Sequence, residues 1–407
     1  RAEDRELFSE LLDKLDISYP ASSTAETYED AVEVAGRIGY PLLVRPSYVL
    51  GGRGMAIVYD SKSLRTYMDE AAHVTPDHPV YLDSFLEDAV ELDVDALADG
   101  TECYVGAVLE HIEECGIHSG DSACCTPPFS LSDKLVERVC EITRQLALAT
   151  GVRGLMNVQY AVKDNTVSVI EMNPRASRTV PFSSKATGVP LAKYAALIMQ
   201  GAKIADLNLP ASNRELGYYA CKEAVMPFGR FPGADVVLGP EMKSTGEVMG
   251  IGRSFPEAYA KTQLAIDYSL PTEGTCFISV NDRDKRNVIP IARDLSNLGF
   301  KIVSTSGTAK ALRAAGIEVE VARRMSEMHP NIGDVIAAGG IQFMINTPGG
   351  AGTRNDGFKL RSAAVRHSLC YVTTLSAASA FVSAIQLVQR SKLEAFALQD
   401  LASMGEE

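Results

Sequence analysis

Leu7, Leu11, Leu12 and Leu15 recur at helical spacing, and Thr27 with Asp30 three residues on predicts a capped second helix that carries Ala31, Val34, Ala35 and Ile38 and ends at Gly39. The pattern then turns extended. PLLVRPS holds Arg45 among apolar residues, and the glycine-rich SYVLGGRGM leads into a second strand, AIVY. Ser61 is placed to cap a helix through Ala72, and VYLDSFL reads as a short strand. VELDVDALADGTECYVGAVLEH breaks at Asp99-Gly100 into a hairpin. Its first strand sets Glu91, Asp93 and Asp95 against Leu92, Val94 and Ala96, which predicts a solvated acidic face, with a metal cluster as the alternative. Ser130 and Asp133 then predict a capped helix to Thr150, with Leu135, Val139, Ile142 and Leu146 on one face and Gly151 at its end.

Beyond YSLPTEG, which has linker character, the short apolar runs TCFISV, FKIVS, IEVEV and IQFMIN are separated by helical stretches, the first from Lys285 to Leu298. That alternation predicts a parallel sheet covered by helices. Thr305-Ser306-Gly307-Thr308 stands at a helix start, where backbone donors and hydroxyls make an anion site that Lys285, Arg324 and Asn346 can complete. Ordinary helix capping is the competing reading.

The chemistry concentrates in Leu155–Arg178, LMNVQYAVKDNTVSVIEMNPRASR. Two strands are predicted, turning through Lys163–Thr166. Glu171 and Asn173, two apart, share one strand face, and a bulged turn near Asn165 sets Gln159 opposite Glu171. Three oxygen-bearing side chains then converge, a seat for a hard cation such as Mg²⁺, and Arg175 and Arg178 follow to neutralise a transferring phosphoryl group. The bland alternative is a solvated strand edge followed by an Asn-Pro turn. Gly51, Gly52 and Gly54 form neither a P-loop nor a dinucleotide fingerprint; they suit a hairpin folded over a triphosphate with Arg45 on its oxygens, or simply a flexible hairpin. His111, Cys115 and His118 in HIEECGIHSGDSACC fit no zinc-finger or HExxH spacing.

Composition narrows the classes. Hydrophobic content of 46% with 22% charged residues over 407 positions fits two or three globular domains. A formal charge of −13 without a basic cluster argues against nucleic acid or an anionic membrane as partner. Eight scattered cysteines suggest neither disulfides nor a zinc ribbon. The opening RAEDRELF is a charged helix start, not a signal peptide, so a cytoplasmic protein is expected, the mitochondrial matrix staying open. A start at Arg1 without an opening strand suggests a piece of a longer polypeptide.

RPSYVLGGRGM, EHIEECGIHSGDSACC, RGLMNVQYAV, EMNPRASRTVPFSSKATGVPLAK and LGPEMKSTGEVMGIGR, in this order, make the chain resemble the ATP-grasp module of the carbamoyl phosphate synthetase large-subunit family. GGRGM and ASRTVPFSSKATG are similar to that family's second half, which phosphorylates carbamate. The resemblance implies an ATP-grasp domain over 1–265, a linker over 266–273 and a parallel-sheet methylglyoxal-synthase-like α/β domain over 274–407. It implies Gln159, Glu171 and Asn173 as Mg²⁺ or Mn²⁺ ligands, Arg45 on ATP phosphate, Gly51 and Gly52 in the nucleotide hairpin, and Leu86 and Glu91 at adenine and ribose. Gly116, Ile117, His118 and Ser119 would shape the nucleotide pocket, Ser84 stands where some relatives carry a nucleotide-contacting His, and Arg175 and Arg178 would face the transferred phosphoryl group. In the last domain Lys285, Thr305 and Thr308 would hold the phosphate of an allosteric effector, often a nucleotide, while Pro348 replaces a common hydroxyl residue and the Gly-Asp-Gln segment of methylglyoxal synthase has no match. First-half synthetase domains, in the same or a companion chain, and a glutaminase small subunit are the implied partners. Another ATP-grasp ligase or carboxylase and a non-catalytic nucleotide-sensing module are the rival readings.

Overall fold

A computed structural model describes residues 2, 4–46, 54–74, 79–212, 216–231, 234–348 and 354–401, so Gly51 and Gly52 lie outside the described residues. Two compact units are present: Arg1–Tyr219 with Leu238–Lys243 and Phe396–Glu407, and Ala220–Val237 with Ser244–Ala395. Among the described residues no helix is long and apolar enough to cross a membrane.

In the first unit, helix α1 (Arg5–Lys14) is capped by Asp4 and buries Phe8 and Leu12, whereas Leu7 is 47% exposed. The buried stripe is thus rotated one residue from the leucine spacing, because Phe8 has the larger apolar surface to hide. Strands β1 (Ser22–Ala25), β2 (Leu42–Pro46), β3 (Ala56–Val58) and β4 (Val80–Ser84) form an antiparallel sheet in the order β1-β4-β2-β3. Helices α2 (Tyr28–Ile38) and α3 (Ser61–Val74) bring Ala31, Val34, Leu64, Tyr67 and Met68 onto its core. The Thr27–Asp30 capping box forms as the spacing predicts. The cap of α3 is Asp60, not Ser61: its carboxylate accepts from the Ser63 N–H at 2.7 Å, and Ser63 Oγ accepts from the Asp60 N–H at 3.2 Å. An Asp–x–x–Ser reciprocal cap had the same signature one residue earlier.

Strands β5 (Val90–Asp99), β6 (Cys103–His111), β7 (Cys124–Thr126), β8 (Arg153–Lys163) and β9 (Thr166–Asn173) are neighbours in the order β7-β6-β5-β8-β9. One face is apolar: Leu92, Val94, Val158, Tyr160, Val167, Val169 and Met172 pack with Phe8 and Leu12 of α1 and with Val139, Ile142 and Leu146 of helix α4 (Asp133–Thr150). The N-cap residue of α4 is Ser132; Ser130 instead donates, side chain and backbone, to Glu110. Helices α5 (Val180–Thr187) and α6 (Leu191–Met199) cover one end of the opposite face through Val180, Leu191, Ala195 and Ile198 on Leu97. Beyond them the same face carries a row of polar side chains alongside Ala107, Leu109 and Ala161.

The β8–β9 turn is two residues, Asp164 and Asn165, at φ of 50° and 61°, a left-handed pair that suits a tight hairpin. The bulge lies up the strand, not at the turn: Tyr160 pairs with Val169 but Gln159 with Glu171, leaving Ile170 extra. The apolar phase of β9 carries that break, Val167 and Val169 two apart and Met172 three further on, all on the helix side. The bulged backbone finds partners: the Val169 N–H donates to Ser18 O at 2.8 Å, and Arg5 Nη1 donates to Ile170 O at 3.2 Å while its Nη2 holds Asp83 at 2.5 Å.

In the second unit, strands β10 (Tyr219–Val225) and β11 (Gly246–Gly252) are neighbours, and helix α7 (Phe255–Ala265) lies so close on β11 that Gly250 and Gly252 have no room for a Cβ. Strands β12 (Thr275–Ser279), β13 (Lys301–Ser304), β14 (Glu320–Val321), β15 (Phe343–Asn346) and β16 (Cys370–Val372) form a wholly parallel sheet, order β14-β13-β12-β15-β16. Helices α8 (Val288–Asn297), α9 (Ser306–Ala314), α10 (Ile332–Ala337), α11 (Arg354–Arg366) and α12 (Leu375–Arg390) accompany it. Phe277 and Met344 pack with Ile332, Ile336 and Leu360 of α10 and α11, while Phe343 stacks on Phe381 of α12 at 4.4 Å. The sequence pattern missed β16, whose three residues are too few to show a period. Helix α8 begins at Val288, three residues later than the periodicity predicts.

Two outcomes follow from this packing. Asp60→Ala lowers the midpoint of thermal unfolding measurably and Ser61→Ala leaves it unchanged, since only Asp60 satisfies a helix donor. Glu223 of β10 is pushed up to about 7 by burial, against donation from Gln263 and the Ala224 N–H and the charge of Lys222. Its folded value exceeds the unfolded one, so its contribution is whole at low pH and is lost as pH rises through 7. Urea titrations between pH 5 and 8 should then show a loss of about 3 kcal/mol that Glu223→Gln abolishes.

Candidate active site

Pairing places a row of polar side chains across the uncovered part of the large sheet. Asp93 lies opposite Gln159, Asp95 opposite Asn157, Gln159 opposite Glu171 and Asn157 opposite Asn173. Since a strand alternates its faces, Glu91, Asp93, Asp95, Asn157, Gln159, Glu171 and Asn173 share one side. Gln159, Glu171 and Asn173 are half-buried on it. Asn173 Nδ2 donates to Glu171 Oε1 at 2.8 Å, and Arg175 Nη2 donates to Asn173 Oδ1 at 3.1 Å.

The acidic row of β5 is not a solvated face. Glu91, Asp93 and Asp95 are 5%, 1% and 0% exposed, and among the described residues no group of three or more His, Cys, Asp or Glu side chains is arranged to hold a metal ion. Hydrogen bonding replaces solvation. Asp93 accepts from His111 Nε2 at 2.8 Å, Asn157 Nδ2 at 3.0 Å and Gln159 Nε2 at 3.2 Å. Burial acts to raise the Asp93 carboxyl, yet His111 and the two amides hold it below the ordinary range. Burial lifts Glu91 above its range, opposed by His111 and reinforced by Asp93. Gly116 N–H donates to Glu91 Oε2 at 3.2 Å, and the Cys115 thiol also bonds this carboxylate. Because Gln159 gives its amide N–H to Asp93, its Oε1 is left as an acceptor beside Glu171.

Two loops border the row. Gly116, at φ 89°, leaves so little space that a Cβ would stand 2.5 Å from Phe85, which joins β4 to Leu86; only glycine fits this approach. Ile117 is buried beside it. His118 Nδ1 accepts from the Gly120 N–H at 3.0 Å, its own backbone N–H donates to Gly239 O at 2.8 Å, and Ser119 is half-buried in the same turn. Burial lowers the His118 imidazole, as does the nearby Arg178, against the pull of Asp121 and Glu171. Arg178 reaches this turn, its Nη1 standing 3.4 Å from where a Gly120 Cβ would sit. The loop after β9 thus carries exposed Arg175 beside Asn173 and exposed Arg178 beside His118.

On the small sheet, Arg45 Nε lies 3.4 Å from Asp83 and its guanidinium 5.1 Å over the Tyr81 ring, and this buried Nε has no hydrogen-bond partner among the described residues. Ser84 ends β4, its N–H donating to Ala21 O, and Leu86 follows Phe85. The roles of Asp93, His111, Asn157 and the hydroxyls Ser177, Thr179 and Ser183 were not drawn from the sequence. The signal was available: Asn157 and Gln159 alternate on β8 in phase with Asp93 and Asp95 on β5, and amides facing carboxylates mark a buried network rather than a wet surface.

In the second unit, Thr305 stands at the N-cap position of α9 with its hydroxyl turned to Ser279 Oγ at 3.3 Å, and Lys285 Nζ stands 3.3 Å from where a Gly307 Cβ would sit. Thr308 is 1% exposed and accepts from the Val280 N–H at 3.3 Å. Asn346 Nδ2 donates to Ser279 O at 2.8 Å and its Oδ1 accepts from the buried Arg361, which also grips Asp235 through two bonds of 2.9 and 2.7 Å. Lys285, Thr305, Thr308 and Asn346 therefore gather at the carboxyl ends of β12, β13 and β15. Arg324 is exposed in the loop after β14, with its backbone N–H on Glu327.

Comparison with known proteins agrees with both parts. Residues 4–207 match the family described as carbamoyl-phosphate synthase L chain, ATP binding domain, and residues 287–373 match the MGS-like domain. The carbamoyl phosphate synthase large chain of Methanothermobacter thermautotrophicus is 52% identical over 99% of this chain and 38% of its own length. The C-terminal section of that large chain from Aquifex aeolicus is 48% identical over 97% of this chain and 76% of its own. The chain spans under two fifths of the full-length large chains it matches. A biotin carboxylase–βγ-ATP complex from Campylobacter jejuni shares the fold at 18% identity, with a TM-score of 0.53 over 65% of this chain and 66% of that one. With its ATP-grasp fold, parallel-sheet MGS-like domain and identity near one half along nearly all its length, the chain belongs to the carbamoyl-phosphate synthase large-chain family.

Proposed function

We propose that this chain phosphorylates carbamate with ATP, giving carbamoyl phosphate and ADP. The observation that carries the reading is the half-buried row of Gln159, Glu171 and Asn173 with Arg175 and Arg178 at its end. We assign 1–265 to the ATP-grasp synthetic domain, 266–273 to a linker and 274–407 to an allosteric domain. One carboxylate and two amide oxygens are hard donors that suit Mg²⁺ or Mn²⁺, and the turning of Gln159 Nε2 to Asp93 supports the fit. A bound divalent ion would supply charge neutralisation at the nucleotide phosphates.

The chain's own residues would do the rest. Arg45 holds ATP phosphate, Ser84 and Leu86 border the base, and Glu91 receives the ribose hydroxyls; Gly51 and Gly52, outside the described residues, are assigned to nucleotide binding. Gly116, Ile117, His118 and Ser119 wall the pocket. Arg175 and Arg178 face the γ-phosphoryl group as a carbamate oxygen bonds to phosphorus and the bond to the β-phosphate oxygen breaks. Positioning and charge carry such a step, and excluding water protects the labile carbamate.

Lys285, Thr305, Thr308, Arg324 and Asn346 form the proposed effector site, for a small molecule with a phosphate, a nucleotide above all. Family membership supports first-half synthetase domains and a glutaminase small subunit as partners, and a cytoplasmic or mitochondrial-matrix setting.

Supplied with Mg²⁺, ADP and carbamoyl phosphate, the chain is expected to make ATP, and Glu171→Gln to lower that rate about 100-fold or more. A folded chain that makes no ATP yet binds nucleotide would instead be a sensing module. Calorimetry with a panel of nucleoside monophosphates should show Lys285→Ala weakening binding about tenfold or more; unchanged affinity would remove Lys285 from the effector site.

A further inference from the structure

The loop that carries Arg175 and Arg178 is held from beneath by one carboxylate. Asp95 is 0% exposed and accepts four hydrogen bonds: Ser177 Oγ at 2.6 Å and Asn157 Nδ2 at 3.1 Å on Oδ1, and Thr179 Oγ1 and Ser183 Oγ, each at 2.7 Å, on Oδ2. Two donors come from the loop, one from the first turn of α5 and one from β8. Ser177 and Thr179 flank Arg178 in sequence, and their hydroxyl oxygens stand 2.7 Å apart. With both neighbours turned inward to Asp95, Arg178 is turned out toward the His118–Gly120 turn. Asp95 also shares Asn157 with Asp93, so the anchor and the Gln159 support are parts of one network.

We propose that Asp95 is the positioning residue of the phosphoryl-facing arginines, fixing the 174–179 loop on β5 so that Arg175 and Arg178 stand over the Gln159–Glu171–Asn173 row. The inference rests on the proposed reaction for its kinetic consequence but not for its structural one. No other side chain accepts from both Ser177 and Thr179 among the described residues. A full carboxylate is required, because four donors converge on two oxygens, and an amide offers only one acceptor oxygen.

The test uses the whole chain and two readouts. Trypsin can cut after Arg175 and Arg178. Asp95→Ala should speed cleavage at these two bonds about tenfold while other sites keep their rates. In ATP formation from Mg²⁺, ADP and carbamoyl phosphate, Asp95→Ala should lower kcat about 100-fold and leave the KM for ADP within about threefold, the mark of lost alignment rather than lost binding. Asp95→Asn, isosteric but short of one acceptor, should fall between. Unchanged nicking would overturn the anchor, and a KM that rises in step with a falling kcat would reduce Asp95 to a general structural role. If Asp95→Ala does not fold, Ser177→Ala with Thr179→Val removes the loop donors and is read by the same criteria. Should the unaltered chain make no ATP, the proposed reaction fails, while the nicking rates still decide the anchor.

Discussion

Burying carboxylates in a sheet is costly unless donors meet them from several sides, and this constraint organises the larger part of the chain. Asp93 and Asp95 sit on a strand whose other face is wholly apolar, so they cannot turn to water. Their solution is lateral: amides from β8, an imidazole from β6 and hydroxyls from the loop after β9 all converge on them. Each such bond also orients its donor. Gln159 is turned so that its oxygen faces Glu171, and the arginine loop is drawn over the end of β9. The residues that make the site therefore owe their aim to residues that touch neither nucleotide nor phosphate in the proposed reaction.

Much of this was legible in the residues. The Thr27–Asp30 cap, the hairpin at Asp99-Gly100, the α4 face and the parallel sheet of the last domain all follow from period and turn chemistry. The convergence of Glu171 and Asn173 on one face follows from spacing alone. What failed was the environment of the acidic row. Alternating acidic residues look alike on a wet face and on a buried one until the facing strand is known, and the pairing of β5 with β8 is a long-range fact. Likewise the strand break in β9 was displaced to the turn, because a bulge leaves only a phase shift between Val169 and Met172. The choice between Asp60 and Ser61 turned on one residue, a distinction that propensity does not make.

The two units illustrate different ways of placing polar groups. In the parallel sheet the strand ends supply them: Thr305, Lys285 and Asn346 gather where β12, β13 and β15 finish, the crevice that open α/β sheets offer to ligands. Thr308, predicted as an effector contact, accepts from the Val280 N–H beside these strand ends. Arg361 ties Asn346 to Asp235, so the crevice wall is braced by a buried guanidinium.

The extra residue Ile170 bears on how this sequence can drift. Regular pairing from the Asp164-Asn165 turn would bring Ile170, not Glu171, across from Gln159. Loss of that one residue would leave Glu171 facing Gln159 in unbroken alternation, whereas closing the bulge with Ile170 retained would turn every later side chain of the strand over, carrying Glu171 and Asn173 into the oily layer beneath. What has to be kept is therefore the bulge whenever Ile170 is present, and the guanidinium of Arg5 on the Ile170 carbonyl helps to hold it.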